Sequence, residues 1–202
     1  MEKKQEYSTI IKSRDYMYLY LKKAAELHLK GLNEYEIKQL ALRDNLFQVK
    51  SESRKREIAA TVLKRLNELD EYLIEKLVLG SRETSKFIAL YVLLKTDLLF
   101  FEFMNEVFKD KVLYGDMLLT DKDFSLFFQS KAKQNKIIAS WTDYTFYKLK
   151  QVYIRILFEA GLLKNKKGDR EIIPPLVEED VLTHIKNKND SIYLEAMGVI
   201  SN

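Results

Sequence analysis

The residues with the most chemistry to offer lie between Trp141 and Arg170. Tyr144, Lys148, Gln151 and Arg155 follow one another at steps of four, three and four, which places their side chains on one face of a helix. Such a face suits the major groove of duplex DNA, where Gln pairs with adenine, Lys and Arg with guanine, and Tyr with phosphate. Past the helix, Lys164, Lys166, Lys167 and Arg170 crowd a short polar turn. On a hairpin they would straddle the neighbouring sugar-phosphate backbone as a wing. The same pattern also describes an ordinary solvated helix face followed by a Lys-rich loop.

A second basic run covers Lys50 to Arg65, with six basic residues against two acidic. Arg54, Lys55 and Arg56 fall in the first turn of a helix, where positive charge opposes the helix dipole. They do little for local stability there, and so point to a polyanionic partner. Lys64 and Arg65 extend the track about two to three turns further along. Plain solubilising charge is the competing reading.

Most catalytic chemistry is closed off. The chain has no Cys and two His, His28 and His184, each read as structural. Its six glycines are too dispersed for a P-loop or a dinucleotide fingerprint. Glu178 and Glu179 form an acidic pair, but at a helix start they are ordinary partners of the dipole. No catalytic residue, metal site or cofactor is expected, and a metal-dependent nuclease is the weakest of the alternatives.

The elements that must position these faces are helical. In 202 residues there are only 6 Gly and 2 Pro, while 47% are hydrophobic and 12% aromatic, which leaves few turns and favours long helices around a real core. Ser13 is read as the cap of a helix from Arg14 to Lys30, with Tyr16, Leu19, Tyr20, Ala24 and Leu27 inward and Gly31 at its end. Asn33 with Glu36, Ser51 or Ser53, Asp70, Ser81, Thr120 with Asp123, and Thr142 mark further starts. Asp190 is read as the cap of a last turn. Trp141 is expected to anchor the entrance of the helix from Asp143 to Ala160. Leu162-Leu163 and Ile172-Ile173 flank Gly168-Asp169 as a hairpin signal. The expected architecture is mainly α: a helical bundle over residues 1–116, then a winged-helix-like module with a short β-hairpin over 117–202.

The opening MEKKQEYSTIIKSRD lacks the apolar stretch of a secretory signal. Phe87 to Phe108 has the length of a membrane span, but Lys95 and Asp97 sit at its centre and Glu102 and Glu106 follow. Two buried helices, a cytoplasmic protein and no membrane partner are expected.

Asn45 to Leu69, NLFQVKSESRKREIAATVLKRLNEL, resembles the small BrxA-type component of bacterial BREX phage-exclusion systems. So does Leu119 to Leu163, with its single Trp, the Thr after it and the closing A-G-L-L, and so do the PPL and YLEAM segments near the C-terminus. The likeness runs from about Tyr7 onward. It implies a non-enzymatic protein with an N-terminal bundle similar to the antitermination factor NusB, binding double-stranded DNA beside other BREX proteins. Family members have at times carried an inner-membrane label, against which the charges within 87–108 argue. It also implies a DNA-contact role for Arg54, Lys55, Arg56, Lys148, Arg155, Lys164, Lys166, Lys167 and Arg170. Two other roles suit the same faces: a scaffold that docks acidic protein surfaces, and RNA binding through the NusB-like bundle.

Overall fold

The computed structural model describes residues 6–199, so the first five residues of the opening segment lie outside it. Two compact units make up the chain. One is Tyr16–Leu93; the other joins the segment through Asp15 to everything from Leu94 onward. The boundary expected after residue 116 falls within the second of these.

In the first unit, α1 (Tyr18–Leu29) packs against α2 (Glu34–Arg43), α3 (Glu52–Leu66) and α4 (Glu71–Leu79). The caps are local chemistry. Asn33 and Glu36 form a reciprocal capping box, while Ser51 and Asp70 accept from the backbone N–H groups of Arg54 and Leu73. The first helix departs from expectation. It starts at Tyr18 behind a left-handed Met17, and Ser13 instead closes a short 3₁₀ turn at Ile10–Lys12. Its buried stripe is Leu21, Ala24 and Ala25, and Leu19 is 72% exposed. Tyr16 explains the difference: it is buried ahead of the helix, its hydroxyl donating to the Lys86 carbonyl, so the helix phase is set from outside its own periodicity. His28 sits 2.7 Å from Glu71.

Helix α5 (Arg82–Thr96) carries the chain from one unit into the other, and every residue from Phe87 to Leu94 is buried. The apolar run then breaks at Asp97. Extended there, Asp97 accepts from the Phe100 N–H and caps α6 (Leu98–Phe103), which continues through a π-helical turn at Met104–Phe108 into α7 (Lys109–Leu113). Each charge in the run has a partner. Lys95 pairs with Asp190 at 3.0 Å, and buried Lys131 bridges Glu102 and Glu106 at 2.9 and 2.5 Å. Among the described residues no helix is long and apolar enough to cross a membrane.

The second unit is held by an aromatic cluster. Phe103 stacks on Phe124 at 4.8 Å and meets Phe127 edge-on, and Tyr153 lies against Phe100, Phe103 and Phe128. Its order is α7, β1 (Leu118–Leu119), α8 (Asp121–Gln134), α9 (Lys136–Ala139), α10 (Asp143–Ala160), β2 (Arg170–Glu171), α11 (Glu179–Asn187) and α12 (Ser191–Ala196). Strand β2 pairs antiparallel with β1, Leu118 opposite Glu171 and Leu119 opposite Arg170. A further antiparallel bridge joins Leu163 to Ile172. The expected hairpin is therefore present, and β1 adds an edge that periodicity did not reveal. Asp190 stands at the α12 start without a side-chain capping bond, its carboxylate directed to Lys95.

Candidate nucleic-acid interface

Helix α10 runs over the residues its sequence predicts. Thr142 accepts the Thr145 N–H at 3.3 Å, and Gly161 ends it at φ +87°, a left-handed conformation that costs other residues strain. Leu149, Val152, Tyr153 and Ile156 are buried, which turns Tyr144, Lys148, Gln151 and Arg155 outward. Trp141, expected as a core anchor, is half-buried, 6.1 Å from Phe146.

The outward face is a connected polar surface. Lys148 Nζ lies 5.4 Å from the Tyr144 ring and 5.8 Å from the Tyr147 ring, and donates to Gln151 Oε1 at 3.3 Å. Gln151 Nε2 in turn donates to the Tyr147 hydroxyl at 2.8 Å. Tyr144 and Tyr147 are 66% and 49% exposed. Tyr147 escaped the sequence reading, although its spacing of three from Tyr144 and four from Gln151 puts it on the same face. Arg155 at the far end pairs with Asp15, both partners partly open to solvent.

The turn beyond α10 is pre-organised by Asn165, another residue missed from sequence. Its Nδ2 donates to the Lys167 and Asp169 carbonyls at 2.6 and 3.1 Å, and its Oδ1 accepts the Glu171 N–H at 3.2 Å. Lys164 is exposed and pairs with Glu171 at 2.9 Å, which raises its pKa. Lys166 lies 4.9 Å above the Phe158 ring, and Lys167 is exposed.

Arg170 has a different position. It is buried, donating through Nη1 to the Leu119 carbonyl at 3.3 Å, through Nη2 to Asp121 at 2.8 Å and through Nε to the Lys166 carbonyl at 3.4 Å. It fastens the hairpin to β1 and to the start of α8. Lys150 Nζ donates to the same Asp121 at 2.8 Å, and these two cations, Lys150 foremost, hold the carboxyl below its ordinary value.

On α3 the basic residues divide. Arg56 and Lys64 are exposed. Arg54 reaches Glu57 at 3.3 Å, and Lys55 reaches Glu52 at 2.6 Å and the Leu42 carbonyl at 3.5 Å, so these two first-turn cations have acceptors within their own unit. Arg65 is buried and donates to the Tyr16 carbonyl at 3.0 Å. Among the described residues no group of three His, Cys, Asp or Glu is placed to hold a metal ion.

The architecture is that of a mainly helical protein with a small antiparallel sheet. It matches the crystal structure of an uncharacterized protein from Magnetospirillum magneticum with a TM-score of 0.80, at 19% identity, over 97% of this chain and 100% of that one. The BrxA family profile matches residues 5–189. A BREX protein BrxA from Bacillus cereus (strain H3081.97) is 55% identical over 197 residues, 98% of either chain. The chain belongs to the BrxA family, whose members are components of BREX phage-defence systems.

Proposed function

We propose that this protein binds duplex DNA as a non-enzymatic, cytoplasmic accessory component of a BREX phage-defence system, alongside other BREX proteins. The observation that carries this reading is the α10 face, where Tyr144, Lys148 and Gln151 stand outward beside a turn bearing Lys164, Lys166 and Lys167. The element order supports it. Strand β1 precedes α8 and α10, and the chain returns through the hairpin to pair with β1, so α10 takes the place of a recognition helix and residues 164–170 that of a wing. On this reading 117–202 is a winged-helix-like module and the bundle before it is NusB-like.

The internal ties of this surface are of the kind DNA can displace. Arg155 with Asp15 and Lys164 with Glu171 are pairs open to solvent, where water and salt screen the attraction and holding two long side chains together costs entropy. Arg65 and Arg170 are left out of the proposed interface, because their guanidinium groups are buried on backbone carbonyls. Arg54, Lys55, Arg56 and Lys64 form a secondary patch on the other unit.

Fluorescence anisotropy of a short labelled duplex across a salt series tests the proposal. With about three to five cations on phosphate, log affinity should fall against log salt with a slope near −3 to −4.5. A flat response would sink it. Competition by single-stranded RNA that outruns duplex DNA would move the function to RNA.

A further inference from the structure

The end of α7, the turn after it and the first half of α8 enclose a groove of about 330 Å³ that shares no residue with the α10 face. Its lining includes Val107, Tyr114, Leu126 and Phe127. Tyr114 is 79% exposed and Leu126 55%. Large apolar side chains gathered in this way mark docking surfaces far more often than they serve solubility.

The rim has the opposite charge to the rest of the molecule. Glu106, Asp110, Asp116 and Asp123 line it with one lining cation, Lys111, and Lys131 reaches Glu106 at 2.5 Å, so four acids meet two cations in a chain whose net charge is +4. Lys111 is tied inward, its Nζ 2.7 Å from Asp116 and 3.2 Å from Asp123. Burial works against its charge, but the two carboxylates overcome that and raise its pKa. One ammonium thus serves two acids, and Asp110 remains exposed beside them. This rim repels nucleic acid and attracts a cationic ligand.

We infer that the groove docks a basic amphipathic helix of a partner protein, with an apolar anchor between Tyr114 and Leu126 and Lys or Arg over the acidic rim. The division of labour is electrostatic: a basic face for a polyanion and an acidic groove for a protein, each excluding the other's ligand.

Two synthetic amphipathic helices of equal length, one of Lys and Leu and one of Glu and Leu, test this against the full chain by anisotropy and amide exchange. The Lys/Leu helix should bind and protect amides within residues 107–127. Asp110→Lys and Leu126→Ser, both at exposed positions, should each weaken it by about tenfold, the cost of losing one anchor of about 1.4 kcal/mol. Equal binding of the two helices, protection centred elsewhere, or unchanged affinity in both variants would overturn the inference. So would sedimentation showing a dimer that buries the groove, which would assign it to a second copy of this chain.

Discussion

The two basic stretches are nearly matched on paper, with six basic residues in Lys50 to Arg65 and seven in Thr142 to Arg170. Folded, they differ in how much of that charge faces water. On α3 the acids Glu52 and Glu57 stand three residues from Lys55 and Arg54 and engage them, and Arg65 turns inward, which leaves Arg56 and Lys64 eight residues apart on the open side. On α10 no acid lies between Asp143 and Glu159. Lys148 therefore rests on tyrosine rings and a glutamine, neighbours that a phosphate can replace at little cost. Lys148 stays available to a partner because its own helix carries no acid three or four positions away.

The largest effect should come from an arginine that the sequence places among the DNA-contact candidates. Arg170→Leu takes donors from the Leu119 and Lys166 carbonyls and leaves Asp121 with Lys150 alone. Leaving the buried Leu119 carbonyl without its donor costs about 1–3 kcal/mol, and the largely exposed pair with Asp121 adds at most about 1, so urea denaturation should show a loss of about 2–4 kcal/mol. Arg65→Leu loses the bond to the Tyr16 carbonyl and should cost less, about 1–3 kcal/mol. If Arg170→Leu kept full stability while DNA affinity fell, Arg170 would touch DNA and not act as a strut.

Next in size is the contrast in DNA affinity. Lys166→Glu with Lys167→Glu should weaken duplex binding by at least about tenfold, or 1.4 kcal/mol, and flatten the salt slope by roughly 0.9 for each phosphate no longer neutralised. Arg56→Glu with Lys64→Glu should change both far less. Equal losses from the two double variants would erase the difference between the regions and favour a DNA footprint that uses both units.

Local signals made most of this legible. Capping residues placed α2, α3, α4, α8 and α10, because a cap is decided within four residues. The start of α1 was not legible, since buried Tyr16 sets it through a hydrogen bond to a carbonyl 70 residues away. Strand β1 has two residues and exists only because Arg170 and Glu171 return to it, so no window of sequence carries its period. The short helix α9 hangs on the Asn135 side chain, which accepts the Ile137 and Ile138 N–H groups, a cap without the apolar run that would flag it. Within the candidate site, the α10 face could be read from spacing alone, whereas the burial of Arg65 and Arg170 depends on carbonyls 49 and 51 residues distant.

A smaller effect separates the core beneath α10 from its surface. The Tyr153 hydroxyl is buried without a hydrogen-bond partner, and burial, aided by Asp97 and Glu102, drives its pKa well above the ordinary value. Tyr153→Phe removes an unsatisfied polar atom while keeping the ring against Phe100 and Phe103. It should raise stability by about 1 kcal/mol in thermal denaturation and leave DNA affinity unchanged. A loss of stability would mean that the hydroxyl has a partner in solution.

The smallest predicted effect is a response to acid that should differ between the regions. Lys150, and then Arg170, depress the Asp121 pKa, so the stability this carboxylate confers is fully present above its unfolded value of about 3.9 and is lost as pH falls through the lower folded value. From pH 7 to 5 the hairpin should therefore hold unchanged protection against amide exchange. Below about pH 4, residues 170–172 should lose protection ahead of the helices, because protonated Asp121 no longer anchors Arg170. Glu52 on α3 is also depressed by its partner Lys55, but its side chain is exposed and the pair closes only one helical turn. Its protonation should leave α3 exchange nearly unaltered. In Arg170→Leu the acid response of the hairpin should shrink, since only Lys150 still reads the charge of Asp121. A hairpin that loosened equally at pH 6 would show that its attachment to α8 does not run through this carboxylate.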